Sequence, residues 1–519
     1  MSKELKQSQQ QQELFKKIWD VACTFWAKME ADSYQDYVLG LLFYRYLSEK
    51  TERTMVNLLS KDALTYQQAW LLPEYKENII DELKKSLGYV IEPQNLYSYL
   101  VNLITVVKTG FDIEYLQKSI NSLMDSTMGL ESNPLFDGVF EYMDLNSGRL
   151  GKTIIDKSKL IGNAIVKIGS IAFDFMDKET DVMGDAYEYM IGKFAAGAGK
   201  KAGNFFTPQQ VSVLISKIVT MDRPNILNIF DTCGGSGSLL LTPGKYSNVR
   251  NYYYQDSEEK TFNLGRMNMM LHDVSYNNIH MANDDSLENP AFRDVAMDVC
   301  VSNPPYSQIW SAAALFLEDE RFSSYGVLAP KNKADYAFLL NQLSFLKEDG
   351  IMAIVLPHGV LFRGGAEGKI RKELIKKNYI DTIIGLPANI FFGTTIPTTI
   401  MILKKNKKNE NVLFIDAKTK FVKLGNRNCL IDSDINTIFE AYKNRTDIDK
   451  FAHVADLPEI EKNEFNLNIS RYVDTFIADP SIDIDKTQKE IEDLNIKIIA
   501  NDKIIKLMEQ ELNPKNKKA

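Results

Sequence analysis

The chain has 519 residues, 45% of them hydrophobic and 25% charged, with 61 Lys+Arg against 69 Asp+Glu for a formal net charge of −8. That composition can bury large cores and excludes disordered and collagen-like chains, and the length calls for two to four domains, because single cores stop growing beyond roughly 250–300 residues. The acidic balance also argues against a strongly basic, self-sufficient nucleic-acid binder: phosphate-neutralising charge must be concentrated locally or come from a partner.

The N-terminus, MSKELKQSQQQQELFKK, has no apolar signal-peptide core, and no stretch of the chain is apolar for long enough to span a membrane. Residues 1–165 read as a helical N-terminal domain, with apolar positions at steps of three and four through Leu14, Ile18, Val21 and Phe25 and again at Leu42 and Tyr46. From 166 to 450 short β-branched or aromatic runs alternate with helical stretches. The runs are Asn225 to Phe230, Tyr252 to Gln255, Val299 to Ser302, Ile351 to Leu356, Ile380 to Gly385, Thr399 to Leu403 and Val412 to Ile415. Strands spaced by helices predict an α/β domain built on a mostly parallel, doubly wound sheet. A loop-rich connection is expected over 451–485.

The tail, 486–519, reads as a charged helix. Ile491, Leu494, Ile498, Asn501, Ile505, Met508 and Leu512 fall at alternating steps of three and four, a coiled-coil seam with one polar member. Such a seam either packs on its own domain or docks a partner helix; the buried-polar position and the terminal location favour docking.

Four cysteines (Cys23, Cys233, Cys300, Cys429) are widely separated, which argues against a disulfide framework or a cysteine zinc site and points to a reducing cytoplasm. The four histidines show no metal-ligand spacing, so no metal is expected.

Chemistry is concentrated in two places. Asp231-Thr232-Cys233-Gly234-Gly235-Ser236-Gly237-Ser238 joins a predicted strand to an apolar run, and a glycine-rich strand-to-helix turn lets backbone amides approach a ligand. Asp256 lies 19 residues beyond Gly237, at the end of the next strand, where a carboxylate can accept hydrogen bonds from both ribose hydroxyls of a nucleoside. The loop has no Walker lysine. The near match Gly364 to Ile370 has three intervening residues instead of four and Ile where Ser or Thr is needed. Asp231 suits a cationic ligand, and S-adenosylmethionine carries both an ammonium and a sulfonium.

The second place is Asn303-Pro304-Pro305-Tyr306, after the strand ending at Ser302 and 72 residues beyond Asp231. The prolines fix the backbone and remove two donors. The Asn303 oxygen and a nearby carbonyl can accept both hydrogens of an NH2 group, freeing the nitrogen lone pair for an electrophile, while Tyr306 offers a face for a planar substrate. Arg363, Lys369, Arg371, Lys372, Lys376 and Lys377 form a basic run, offset by Glu367 and Glu373, which reads either as a solvated face or as a phosphate contact near the site.

With these motifs the sequence resembles the amino-methyltransferases, whose signature is [NDS]-P-P-[YFW] behind a glycine-rich cofactor loop. More closely, it resembles the modification subunits of type I restriction-modification systems, which are adenine DNA methyltransferases. The resemblance covers most of the chain: Tyr37 to Ser48, Gly203-Asn204-Phe205-Phe206-Thr207-Pro208-Gln209, the Asp231 loop, the Asn303 tetrad, Leu356 to Gly365, Gly385-Leu386-Pro387 and Ile390 to Pro397. Two departures, Thr232-Cys233 before Gly234 and Thr395 where many members carry glycine, remove no polar catalytic group.

The resemblance implies a Rossmann-like S-adenosylmethionine-dependent fold. It implies that Asn204, Phe205, Phe206, Thr207, Pro208 and Gln209 cover the cofactor, that Asp231 and Gly234, Gly235, Ser236, Gly237 and Ser238 hold its methionine end, and that Asp256 and Asp285 meet its ribose and adenine. A flipped adenine would stack on Tyr306 and Phe392. Implied partners are a specificity subunit that reads the base sequence, a second modification subunit, a restriction subunit in the full nuclease, and double-stranded DNA. Cytosine carbon-5 chemistry is disfavoured because no cysteine follows a proline. Two alternatives stay open: methylation of a protein glutamine or ribosomal RNA, and an inactive assembly subunit that keeps the fold.

Overall fold

In the computed structural model, which describes residues 3–26, 29, 31–173, 182–197, 206–425, 427–475 and 484–512, the N-terminal third is helical. Helices Lys3–Trp26, Ala31–Leu58, Pro73–Ser86, Ile113–Ser126 and Ile154–Gly169 carry most of it. Residues 37–48 are buried throughout, so this stretch of Ala31–Leu58 is apolar on all sides because other helices surround it. Arg45, its one cation, is paired with Glu49 at 2.5 Å and lies 4.6 Å over the Phe173 ring.

Eleven strands follow among the described residues: β1 Asn225–Asp231, β2 Asn248–Asp256, β3 Ile279–Asn283, β4 Met297–Ser302, β5 Leu346–Pro357, β6 Ile380–Gly385, β7 Thr398–Lys404, β8 Val412–Asp416, β9 Val422–Leu424, β10 Arg427–Cys429 and β11 Ala452–Ala455. Nine form one sheet in the order β11-β8-β6-β7-β5-β4-β1-β2-β3, and β9 and β10 form a separate hairpin. The pairs β1–β2, β2–β3, β1–β4, β4–β5 and β6–β8 are parallel. Strand β7 runs antiparallel between β5 and β6, and β11 antiparallel along the β8 edge. Both faces are covered, and every residue of β6 and β8 is buried, including Asp381 and Thr382 in β6 and Asp416 at the end of β8.

All seven strands expected from the sequence are present. Strand β3 was not foreseen, because Ile279-His280-Met281-Ala282-Asn283 lacks a β-branched run and sits at the edge with only Ile279 buried. Strand β11 lies in the segment expected to be a loop-rich connection. With only four residues, one of them His453, it gives no alternating pattern, yet it pairs with β8 from Ala452 to Ala455.

The boundary at 165 also moves, since helix Ile154–Gly169 crosses it. Met1–Asp474 form one compact unit, and Thr475–Ala519 a second. Contacts such as the Lys260–Asp36 ion pair at 2.9 Å and the hydrogen bond from the Tyr276 hydroxyl to the Lys85 carbonyl at 3.2 Å tie the helical region to the sheet region within the first unit. In the second, helix Ile484–Leu512 has no buried residue, and Ile491, Leu494, Ile498, Ile505, Met508 and Leu512 are each more than half exposed. No described helix is long and apolar enough to cross a membrane.

Candidate active site

The strand order reverses between β1 and β4, and ligands of open α/β sheets bind outside the carboxyl ends of strands at such a switch point. The residues singled out by sequence gather there. Asp231 is the last residue of β1, Asp256 the last of β2, Asp285 follows β3 by two positions, and Asn303 follows β4 directly.

The glycine loop is shaped by what lies beneath it. A Cβ on Gly234 would stand 2.0 Å from Cε2 of Tyr254, a fully buried ring whose hydroxyl donates to the Gly235 carbonyl at 2.6 Å. Gly237 has φ +81°, in the left-handed region that favours glycine, and it leads into the short helix Ser238–Leu241. The Asn268 side chain donates to the Ser236 carbonyl at 2.8 Å. The loop is thereby fixed from below.

Two carboxyls face this loop. Asp231 is buried and accepts from the Cys233 amide at 2.9 Å. Burial, with Asp256 adding negative charge, pushes its pKa up to about 7. Asp256 accepts from the Gly235 and Glu258 amides, each at 2.9 Å, and burial pushes it to about 6. Carboxyls raised in this way, one buried and one partly so, are ready to bind a cation, which would restore their charged forms. The residues present therefore fit a cationic nucleoside such as S-adenosylmethionine. Asp285 uses one oxygen to accept from the Leu287 amide at 2.8 Å, bracing the turn after β3, while Asn283 donates to the Asp256 carbonyl at 2.8 Å and joins the two strand ends.

Around the tetrad, Pro304 is buried, and Pro305 and Tyr306 are partly so. The Asn303 Nδ2 donates to Thr207 Oγ1 at 3.2 Å, and the Tyr306 hydroxyl donates to Asn303 Oδ1 at 2.8 Å. Burial raises the Tyr306 phenol well above its ordinary pKa, so it stays a donor. Thr207 thus touches the tetrad as well as belonging to the expected cofactor-covering segment, a link across 96 positions that no local pattern could reveal. Phe206 is buried against Gly192, Pro208 is the N-cap of helix Gln209–Thr220, and Gln209 opens that helix. Asn204 and Phe205 lie outside the described residues.

Tyr306 and Phe392, the two rings expected to hold the target base, have different neighbours. The ring beside Tyr306 is Phe391, edge-on at 6.1 Å, whereas Phe392 meets Phe206 edge-on at 5.6 Å and carries the Arg427 guanidinium 3.6 Å over its face. Phe392 lines a hollow of about 480 Å³ with Tyr189, Phe206 and Ile390, and neither Asp231 nor Asn303 lines it. Adjacent residues in the turn after Ile390 point in different directions, so the Phe-Phe pair is split between two environments.

The basic run is also redistributed. Arg371 is buried and donates to the carbonyls of Val360, Arg363 and Phe465, and Arg363 is held by Asp335 and Glu367. Neither arginine is a free phosphate contact. Away from the tetrad, Asp185, Glu188 and His272 bring one ligand atom each within 4.8 Å of one another. Asp185 already pairs with Lys245 at 2.7 Å, and Glu188 faces the His272 imidazole at 3.8 Å.

Comparison with known proteins identifies the family. Residues 178–479 match the family described as N-6 DNA Methylase, and residues 14–168 match the HsdM N-terminal domain. The methylase subunit of the type I restriction enzyme MpnII from Mycoplasma pneumoniae is 32% identical over 515 residues, covering 95% of this chain and 94% of its own. The HindI methylase subunit from Haemophilus influenzae is 31% identical over 313 residues, 57% of this chain and 69% of its own. The crystal structure of a type I restriction-modification methyltransferase subunit from Streptococcus thermophilus superposes with a TM-score of 0.84 at 42% identity, covering 90% of this chain and all of that one. The chain belongs to the methylase subunits of type I restriction-modification systems, a family of N6-adenine DNA methyltransferases.

Proposed function

We propose that this chain transfers a methyl group from S-adenosylmethionine to the exocyclic amine of an adenine turned out of double-stranded DNA, at a site selected by a specificity subunit. The single observation that carries this reading is the hydrogen-bonded set Thr207–Asn303–Tyr306 beside Asp231, at the reversal of strand order. S-adenosylmethionine supplies an electrophilic methyl on a sulfonium. Asp231 and the backbone of Gly234 to Ser238 bind the ammonium end, Asp256 the ribose and Asp285 the adenine, with Phe206 and Thr207 closing over them.

Asn303 does the orienting. With Nδ2 engaged by Thr207, its Oδ1 is turned toward Tyr306 and keeps acceptor capacity for one amine hydrogen of the substrate. A neighbouring carbonyl of the proline turn takes the other hydrogen. The amine lone pair leaves ring conjugation and aims at the methyl, so the gain is mainly one of position. As the nitrogen–methyl bond forms, the sulfur–methyl bond would break and leave a neutral thioether; Asn303 is a neutral acceptor, so the methylated nitrogen would lose its proton to water after transfer. Tyr306 stacks on the base, braced by Phe391, which helps offset the few kcal/mol of flipping. Phe392 backs Phe206 on the cofactor side.

The test uses labelled S-adenosylmethionine and the chain assembled with its specificity subunit. Label is expected in DNA; label found only in RNA or protein overturns the reading and favours the other amine substrates.

The raised Asp231 gives a pH dependence with a definite sign. A bound ammonium lowers that pKa, so binding takes up the ionised form and releases a proton below pH 7. Affinity for S-adenosylmethionine is therefore expected to rise by up to about tenfold per pH unit from about pH 5.5 to 7 and then level off. Titration calorimetry across that range checks it, and Asp231→Asn should flatten the profile. A flat wild-type profile would remove Asp231 as the partner of the cation.

The exposed seam of helix Ile484–Leu512 supports docking to the specificity subunit, with Asn501 setting register. Within that assembly we place a second methylase subunit and, in the nuclease, a restriction subunit, all in the cytoplasm. Removing residues 484–519 is expected to abolish co-purification with the specificity subunit while leaving S-adenosylmethionine affinity unchanged. Undiminished co-purification would refute the docking role.

A further inference from the structure

The motif Leu356 to Gly365 touches none of the chemistry above, yet its side chains reach the tetrad through a buried carboxylate. A Cβ on Gly359 would lie 2.4 Å from Nη1 of Arg363, so the missing side chain makes room for that guanidinium. Arg363 donates through Nε and Nη2 to the two oxygens of Glu367 at 2.6 and 2.7 Å, and through Nη2 to Oδ2 of Asp335 at 2.6 Å. Asp335 is 1% exposed, and its other oxygen accepts from the Ser307 amide at 2.8 Å.

Ser307 is the residue after Tyr306. It has φ +51°, in the left-handed region that a non-glycine residue enters only when its surroundings hold it there. The next residues are pinned as well: the Gln308 carbonyl accepts from the Ala334 amide at 2.9 Å, and the Trp310 amide donates to the Lys331 carbonyl at 3.0 Å. The backbone leaving the tetrad is thus held at its bend by the hydrogen bond that the Ser307 amide donates to a carboxylate that is itself fixed by an arginine.

We propose that Asp335, held by Arg363, is a positioning residue for methyl transfer: it fixes the Ser307 amide and so the direction from which Tyr306 enters the site and bonds Asn303. The proposal rests on the methyltransferase reading of the tetrad and assigns the Gly359–Arg363 motif its task.

Two variants separate positioning from plain stabilisation. Asp335→Asn keeps an acceptor for the Ser307 amide but loses the charge, and Arg363 retains Glu367. Asp335→Glu keeps the ion pair but moves the acceptor by one methylene. In the complex with the specificity subunit, acting on unmethylated genomic DNA, Asp335→Asn is expected to stay within about threefold of wild-type kcat, and Asp335→Glu to lose about tenfold or more with KM for S-adenosylmethionine within about twofold. Hydrogen exchange of the Ser307 amide should stay protected in Asp335→Asn and become fast in Asp335→Glu. If the glutamate variant is fully active, or the asparagine variant falls as far as the glutamate, the proposal is overturned. Should the wild-type complex transfer no methyl group to DNA, the functional reading fails, while amide exchange still decides the clamp: equal protection in both variants refutes it.

Discussion

Replacing Asn303 with alanine is expected to lower methyl transfer on the order of 10²- to 10³-fold, the range lost when a positioned hydrogen-bonding group is removed from a transition state. Affinity for S-adenosylmethionine should change little, because the polar groups assigned to its ammonium, ribose and adenine stand on β1, β2, the loop after β1 and the turn after β3, and Asn303 reaches the cofactor side only through its bond to Thr207. The substitution leaves Thr207 Oγ1 without the Asn303 donor and the Tyr306 hydroxyl without its 2.8 Å acceptor. Asn303→Asp separates the two effects. It retains an acceptor for Tyr306 and for the substrate amine but gives Thr207 no amide donor, so activity between that of alanine and wild type is expected. Single-turnover rates with cofactor affinity measured in parallel check this, and an alanine variant with wild-type turnover would remove Asn303 from the chemistry.

The second large effect is expected at Gly234. Alanine there puts a methyl 2.0 Å from Cε2 and 2.2 Å from Cδ2 of Tyr254, a fully buried ring whose hydroxyl is tied to the Gly235 carbonyl at 2.6 Å. Overpacking of this kind costs about 1–3 kcal/mol or more, and the strain falls on the loop that carries Gly235 and Ser236. We expect a lower melting temperature and a loss of S-adenosylmethionine affinity of about tenfold or more, equivalent to about 1.4 kcal/mol. Gly148→Ala is the control, since nothing lies within 4 Å of its added Cβ and its backbone is not in the left-handed region. If Gly234→Ala matches that control in stability and affinity, the loop is not constrained by Tyr254 as described.

Central strands and cofactor-loop residues were legible because their signals are local. Strand β8 is buried on both faces and announces itself as the apolar run Val412 to Ile415, while the β-branched run Thr382 to Ile384 marks β6. Asp231, Asp256 and Asn303 stand at strand ends, so finding the strand finds the residue. What escaped depends on contacts between distant segments. Strand β7 differs from its parallel neighbours only in direction, which composition does not encode, and β11 is too short to show a period. Phe391 and Phe392 are chemically equal in sequence and take different partners only through the turn that carries them. Asp335 looks like any acidic residue opening a helix, and its meaning comes from Arg363 and Ser307, each 28 positions away.

Charge shows the same limit. The run from Arg363 to Lys377 resembles a phosphate-binding face, but Arg363 and Arg371 are spent on internal carboxylates and carbonyls. With a net charge of −8 and two cations of this run turned inward, the sequence pattern overstates the phosphate-contacting charge of this face.

Nucleoside mass spectrometry of DNA incubated with the chain, a specificity subunit and S-adenosylmethionine shows whether the Asn303 tetrad methylates the exocyclic amine of adenine. N6-methyladenine is expected as the one newly formed modified nucleoside, reduced on the order of 10²- to 10³-fold in rate when Asn303→Ala replaces the wild type. Methylated cytosine in its place, or N6-methyladenine formed undiminished by the Asn303→Ala variant, would contradict it.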